Sequence, residues 1–390
     1  MKIVRKLRIL HTTTRLLRGG GVENNIFHAI DHLKNEYDFI LSSGAQMEVN
    51  PFADDTRVRV VVCKSLINKI HPIHDLKALI FYYRLIKKEK IDVIHTHETK
   101  ASFITKFAAW LARCPYIIYG LHGVTFNDPM SKFKRNFYIF LEKITIGVSD
   151  FIVAVSHDVI WHYHQNKIGK KIPYTVVRSG IDLDDFFAHA HLDEEKNALR
   201  AKLNIRPETK LICNVGRFSN SKAQRFTIEC FAHLKKDFPD SKLILIGEGE
   251  LLETCKKQVE ESGIENDVIF AGYQKDVPLY LASSDLFLFT SLREGLPRVI
   301  VEAALMKLPV AAFEVEGIRE VIEHGVSGMI VPQYDVNALY EGAKKILEDQ
   351  KLGEAFSQKA YEHVKHEWDA KKMAEELRQV YQNAEKIILS

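Results

Sequence analysis

No pair of cysteines in this chain is spaced for a zinc cluster or a disulfide framework. The five cysteines (Cys63, Cys114, Cys213, Cys230, Cys255) are odd in number, scattered and free of any Cys-x-x-Cys, a pattern that fits a reducing compartment. Long apolar runs are missing too. No stretch approaches the ~18 uninterrupted apolar residues that a membrane-crossing helix needs. The basic opening Met1–Leu10 has no continuous apolar core, so no signal peptide is expected and the chain is expected in the cytoplasm. Charge of one sign is not in excess. A net charge of +3 gives no general attraction to nucleic acid, and no such partner is expected. Short repeats and low-complexity segments are absent as well.

What is present is a 390-residue chain, 46% hydrophobic and 27% charged, which is too long for one ordinary core and balanced like a globular protein. Short β-branched apolar runs alternate with longer amphipathic stretches, the pattern of β-α units and parallel sheets. The runs in the first half are Leu7–His11, Tyr37–Leu41, Val58–Cys63, Ile91–Thr96, Tyr116–Leu121, Phe151–Val155 and Thr175–Val177. Between Asp182 and Asn204 the runs stop and charge dominates, which reads as a linker plus a solvated helix. The rhythm restarts with Leu211–Val215, Leu243–Ile246, Val268–Phe270, Leu286–Phe289, Val310–Phe313 and Met329–Val331, and the tail from Ala338 is helical in pattern. Two similar α/β halves are therefore expected. Ligands of such sheets bind at the C-terminal ends of the strands, so two facing halves would hold a site in the cleft between them.

Three strand-to-helix loops could meet phosphate. Gly19-Gly20-Gly21 opens an amphipathic helix, where glycines allow close backbone approach and a helix N-terminus offers N–H groups to an anion. A flexible turn is the bland alternative. Val215-Gly216-Arg217-Phe218 places an arginine at a strand end, with Lys222 entering the next helix; both could reach a diphosphate, or both could be solvated surface cations. Gly247-Glu248-Gly249 starts like a dinucleotide fingerprint, but Leu252 stands where the third glycine belongs, so the fingerprint fails.

The most informative segment is Glu294-Gly-Leu296-Pro-Arg-Val-Ile-Val-Glu302, after the apolar run Leu286–Phe289. Pro297 suits a first helical turn, and the residues from Arg298 to Met306 are otherwise nearly all apolar. Glu302 is the one acid among them. A buried carboxylate needs a partner, which could be Arg298 four residues earlier or the hydroxyls of a ligand. Glu294, in the preceding loop, could reach another part of the same ligand.

A Glu, seven residues and a second Glu after a buried strand resemble the hallmark of the retaining glycosyltransferases of family 4, which have the GT-B fold. Arg217 and Lys222 match that family's cations, and Gly20-Gly21-Val22-Glu23, Val155-Ser156 after Asp150, and Ser179-Gly180-Ile181-Asp182 match in order. The resemblance implies two facing Rossmann-like domains with parallel sheets. An acceptor-side domain would span 1–180 and a nucleotide-sugar domain 206–368. A linker over 181–205 would join them, and a C-terminal helix over 369–390 would pack back on the first domain. It implies that Glu302 binds the ribose and Glu294 the donor sugar. Arg217 and Lys222 would hold the diphosphate beside Gly216, with the Gly20–Gly21 backbone facing it. Gly272-Tyr273-Gln274 would lie along the base, Leu296 would line the donor site, and His122 of Leu121-His122-Gly123 would sit beside the transferring sugar. His122, Arg217, Lys222 and Glu294 would carry the reaction, without metal or cofactor, on a donor that is a uridine rather than a guanosine nucleotide. The expected acceptor is a glycan or a lipid-linked molecule. The departures are Ala223, where many members have glycine, and Glu-Gly-Leu-Pro, where many have Glu-Gly-Phe-Gly. Both put the donor's identity in question.

Three further features stay open. Residues 131–148 carry Phe133, Phe137, Phe140, Leu141, Ile144 and Val148 at helical spacing beside Lys132, Lys134, Arg135 and Lys143, so the helix could lie on anionic lipid as a peripheral anchor or pack against a sheet. His95-Thr96-His97-Glu98 suggests metal, but no third ligand is evident, which favours a cleft-lining loop. Asp182-Leu-Asp184 mimics a metal-binding Asp-x-Asp and reads as chance. The rival functions are a GT-B-fold sugar-nucleotide epimerase, which would need no acceptor, and a non-catalytic nucleotide-sugar-binding subunit.

Overall fold

All thirteen apolar runs form strands, and they pair in parallel throughout two sheets. The computed structural model describes residues 5–127, 130–188 and 193–390. The first residues of the basic opening (1–4) and part of the expected linker (189–192) lie outside the described residues.

The chain divides into two units, Met1–Asp182 with Asp369–Ser390, and Leu183–Trp368. The first holds β1 (Arg8–Leu16), β2 (Asp38–Met47), β3 (Val58–Val62), β4 (Val93–Thr96), β5 (Tyr116–Leu121), β6 (Phe151–Ala154) and β7 (Tyr174–Val176), in the sheet order β3-β2-β1-β4-β5-β6-β7. The second holds β8 (Lys210–Val215), β9 (Ser241–Ile246), β10 (Val268–Gly272), β11 (Leu286–Phe289), β12 (Val310–Phe313) and β13 (Met329–Val331), in the order β10-β9-β8-β11-β12-β13. Both are doubly wound Rossmann-like sheets, α/β in class. Their order reverses between β1 and β4 and between β8 and β11, the points where such sheets bind ligands. Strands covered on both faces read as unbroken apolar runs, and Leu286–Phe289 and Val310–Phe313 are buried along their whole length.

β1 and β2 run further than their apolar runs. Thr12 and Thr13 pair with Ser42 and Ser43, and three of these four buried hydroxyls have hydrogen-bond partners, Ser43 Oγ having none among the described residues. Thr12 Oγ1 meets Thr105 Oγ1 at 3.0 Å, and Ser42 Oγ meets the Tyr82 hydroxyl at 2.9 Å. Polarity ended the sequence reading at His11, whereas hydrogen bonding lets the strand continue.

The segment read as a linker is not a free connection. Its helix Asp193–Lys202 belongs to the second unit, where Arg200 donates to the Ser283 carbonyl at 2.8 Å. The last helix, Ala370–Leu389, is part of the first unit. Asp369 caps it by accepting from the Lys371 N–H at 2.9 Å. Its apolar residues at three- and four-residue spacing, Met373, Leu377, Val380, Tyr381 and Ala384, join Ile26, Ile30 and Leu33 in one core. Gly180 permits this packing, because a Cβ there would lie 2.5 Å from Ala370 Cα.

Candidate functional site

In the second unit, the loops after β8 and β11 flank the reversal of strand order and are tied together. The Leu292 N–H donates to the Ser221 carbonyl at 2.7 Å, and Thr290 Oγ1 donates to the Ala223 carbonyl at 3.2 Å. This brings Lys222 Nζ within 2.5 Å of Glu294 Oε1, with the two side chains 29% and 13% exposed. Arg217, one loop turn earlier, is half exposed and lies 3.9 Å from a Glu250 carboxylate oxygen.

The Gly247-Glu248-Gly249 turn buttresses that arginine's loop. The Phe218 N–H donates to the Glu248 carbonyl at 2.9 Å. A Cβ on Gly247 would lie 2.2 Å from the Gly216 oxygen, and one on Gly249 would lie 2.3 Å from the Phe218 oxygen. Both glycines also have positive φ, so close backbone approach is what they supply. Gly317 does the same for the acidic loop, since its Cβ would lie 2.5 Å from the Gly295 oxygen. The sequence reading passed over Gly317, whose signal was a lone glycine after β12.

Glu302 takes the local partner. Arg298 Nε donates to its Oε1 at 3.0 Å, and both side chains are 18% exposed. Arg298 Nη1 is buried without an acceptor among the described residues, which makes Arg298 a binding candidate that the sequence reading treated only as a partner. Leu296 is buried, Tyr273 is 39% exposed, and Gln274 turns back on its own loop to donate to the Ala271 carbonyl at 2.6 Å.

In the first unit, Gly20 precedes the helix Gly21–Leu33, and Glu23 folds back over it. Its Oε1 accepts from the Leu17 N–H at 3.0 Å, and its other oxygen occupies the space that a Cβ on Gly20 would take. Burial raises the Glu23 carboxyl above the ordinary range, against the pull of its backbone hydrogen bonds. Asn25 beside it donates to Ser179 Oγ at 2.8 Å. At the end of β4, Glu98 accepts from Thr13 Oγ1 at 3.0 Å and from the Thr14 N–H at 2.9 Å.

The histidine pair of β4 has a third companion after all. His11 of β1 stands in register with His95, and ring nitrogens of His11, His95 and His97 lie within 4.8 Å of one another. His97 Nδ1 and His122 Nε2 are 2.7 Å apart. The Tyr381 hydroxyl lies 2.9 Å from His95 Nδ1 and 3.1 Å from His11 Nε2. The expectation of a cleft-lining loop is thus corrected: His95 and His97 are core residues, and His11 comes from a strand too distant in sequence for spacing to reveal. Burial holds all four imidazoles in the neutral form, with His122 pushed down to about 4 and His11 to about 3.

The helix Lys132–Ile146 turns Ile139, Glu142, Thr145 and Ile146 inward. Its aromatic side is not packed: Phe133 is 85% and Phe140 57% exposed, with Phe137 and Ile144 also exposed. On the inner side Glu142 accepts from the Tyr119 hydroxyl at 3.2 Å.

Residues 19–185 match the family described as Glycosyltransferase Family 4, and residues 195–363 match Glycosyl transferases group 1. The chain is 26% identical, over 89% of each chain, to the UDP-Gal:alpha-D-GlcNAc-diphosphoundecaprenol alpha-1,3-galactosyltransferase of Escherichia coli. It is 26% identical, over 80% of each, to the N-acetyl-alpha-D-glucosaminyl L-malate synthase of Bacillus anthracis. Its fold is that of Anabaena HepE, crystallised with UDP and glucose, at a TM-score of 0.79 and 20% identity, covering 97% of this chain and 100% of that one.

Proposed function

The chain belongs to the glycosyltransferases of family 4, and from that membership we propose a retaining, metal-independent transfer of a hexose or N-acetylhexosamine from a uridine diphosphate to a lipid-linked or glycan acceptor. The setting would be cytoplasmic assembly of a cell-surface polysaccharide or glycolipid. The names of the Escherichia coli relative, which carry UDP-Gal and a diphosphoundecaprenol, and the UDP in the Anabaena structure support the donor and acceptor classes.

The observation that carries this reading is the Lys222–Glu294 contact of 2.5 Å, with Arg217 unburied beside it. Breaking the sugar–phosphate bond builds negative charge on the leaving diphosphate. Arg217 takes phosphate oxygens in a planar fork, and Lys222 adds a point charge that Glu294 already holds in place. Glu294 keeps a second oxygen for the sugar hydroxyls. Glu302 and the buried Nη1 of Arg298 offer an acceptor and a donor to the ribose and its surroundings. Gly216 and Leu296 shape the donor site, and Tyr273–Gln274 border the base. In the first unit, Gly20–Gly21 present backbone N–H groups and His122 meets the transferring sugar. Glu294 and Glu302 are both engaged with cations, which suits same-face attack, assisted by the leaving phosphate, better than a covalent glycosyl intermediate. The exposed Phe133 and Phe140, with the lysines of the same helix, suit a peripheral position on an anionic membrane.

Arg217→Ala is expected to lower turnover by about 10²–10³-fold, as loss of a charge-stabilising donor does, measured as sugar transferred from a labelled UDP-sugar. A panel of nucleotide sugars is expected to raise the unfolding temperature only for uridine donors, because a ligand that binds the folded state alone stabilises it. Wild-type turnover in the variant, together with no protection by any uridine sugar, would refute the assignment.

A further inference from the structure

Five buried or half-buried groups of the first unit form an unbroken series of polar contacts: His95 Nδ1 to Tyr381 Oη (2.9 Å), Tyr381 Oη to His11 Nε2 (3.1 Å), His11 Nδ1 to His97 Nε2 (2.9 Å) and His97 Nδ1 to His122 Nε2 (2.7 Å). The His11 and His97 rings are 9° apart in orientation, with centroids separated by 5.1 Å. Near-parallel rings at that separation let an N–H in one ring plane point at the next ring's lone pair, and the His97 and His122 rings are tilted by 39°. We propose that these contacts make one directional hydrogen-bond chain, starting at His95, that fixes His122 as its Nδ1–H tautomer.

The direction follows from the end of the series. A neutral imidazole has one N–H and one lone pair, and a tyrosine hydroxyl has one proton to give. Three arrangements satisfy every link, because the tyrosine oxygen can accept twice. Were His95 Nδ1–H and His11 Nε2–H both to donate to Tyr381, its buried O–H would be left without an acceptor among the described residues. Two arrangements remain. In one, His95 Nδ1–H donates to Tyr381, whose O–H donates to His11; His11 Nδ1–H donates to His97, and His97 Nδ1–H donates to His122 Nε2. In the other, every proton is reversed and His95 carries its proton on Nε2. That nitrogen is buried with no partner among the described residues. A buried N–H without an acceptor is costlier than a buried lone pair without a donor, so the first arrangement holds.

A metal ion among His11, His95 and His97 fits less well. Two nitrogens bound to one tetrahedral zinc at about 2.0–2.1 Å stand about 3.3 Å apart. His11 Nδ1 and His97 Nε2 are 2.9 Å apart, the separation of a proton shared between them. Among the described residues, no carboxylate is in hydrogen-bond or ring contact with these imidazoles to balance a divalent charge.

The consequence concerns chemistry. With Nε2 occupied as an acceptor, His122 has only an N–H to present at Nδ1. It can donate a hydrogen bond to a sugar oxygen, and it cannot remove a proton as a base. That clause rests on the proposed place of His122 beside the sugar; the tautomer does not. His11, His95, His97 and Tyr381 act through His122 and are positioning residues.

Nitrogen-15 NMR of the full chain with labelled histidine, near neutral pH, reads each ring nitrogen as N–H or bare. The expected result is Nδ1–H with a bare Nε2 at His11, His95, His97 and His122. An Nε2–H at any of the four overturns the proposal, as does a metal bound one per chain whose removal by a chelator shifts these signals. His97→Ala removes the donor to His122, so His122 is expected to become a mixture of tautomers and turnover to fall about tenfold with the donor KM unchanged. An unaltered His122 signal overturns it. Should that variant not fold, Tyr381→Phe removes a single oxygen and is expected to shift both His11 Nε2 and His95 Nδ1; unshifted signals overturn the chain. His122→Gln separates the two ideas. Wild-type turnover there removes His122 from the reaction and leaves the tautomers standing. A silent His122→Gln beside a wild-type His122 Nε2–H removes the chain alone.

Discussion

Ala223 closes the loop that carries Arg217 and Lys222, and it does so in the left-handed region, at φ 48° and ψ 46°. A Cβ there crowds the backbone by about 1–2 kcal/mol, while glycine gives up more freedom on folding. The glycine that the family resemblance implies at this place would thus have a backbone reason, and Ala223 bears on strain before it bears on donor choice. Ala223→Gly is expected to stabilise the chain by about 0.5–1 kcal/mol, read as a rise in urea midpoint. A lower midpoint would show that the methyl group, buried here, matters more than the strain. Glu98 is strained as well, at φ 60° and ψ 146°, and its hydrogen bonds to Thr13 and Thr14 offset that cost. Neither conformation was legible in the sequence, because nothing in the letters Ala and Glu announces positive φ.

Elements were easier to read than their surroundings. Each strand was visible at least through an apolar run, β-branched in most and Leu-Phe-Leu-Phe in β11, since both faces of a parallel sheet are covered. The helix Lys132–Ile146 was equally plain by spacing, yet spacing cannot say which side meets the protein. Its buried residues include Glu142 and Thr145, while Phe133 and Phe140 face out. The anchor is Glu142, held against the Tyr119 hydroxyl, with Lys106 Nζ 3.4 Å from the centre of the Tyr119 ring. Burial lowers the Lys106 ammonium and raises the Glu142 carboxyl, two buried charged side chains that hydropathy could not suggest. Phe133→Ser combined with Phe140→Ser is expected to reduce binding to vesicles of anionic phospholipid by at least about tenfold, given ~1.5–3 kcal/mol for burying each ring. Sedimentation with vesicles measures it, and equal pelleting of both proteins would end the peripheral-anchor reading.

At the scale of the whole molecule, the two α/β halves were legible because the apolar runs follow strand order, and Lys222 and Glu294, singled out by motif, stand in contact. The imidazole cluster was not legible. Tyr381 and His11 are 370 positions apart, and only the folded sheet makes them neighbours. That cluster sets how the protein responds to acid. All four histidines sit below the ordinary 6.5 when folded, so the unfolded chain binds more protons and stability is complete only above that value. It is lost as the pH falls from 6.5 toward about 4, at about 1.4 kcal/mol per pH unit for each uncompensated proton. Glu23, Asp150 and Glu142, raised by burial, work in the opposite sense, while His164, also lowered by burial, adds to the four histidines. The unfolding temperature is therefore expected to drop between pH 7 and pH 5. A level midpoint over that range, followed by circular dichroism, would contradict the buried neutral state.

One unit is interrupted in sequence by the other: residues 1–182 are completed only by 369–390. On the ribosome, the second unit can emerge and fold as a continuous piece while the first still waits for its closing helix. Tyr381, the hydroxyl that joins two of the imidazoles, is made only after the whole of the second unit. A nascent chain stalled before that point carries its histidines with no phenol to order them.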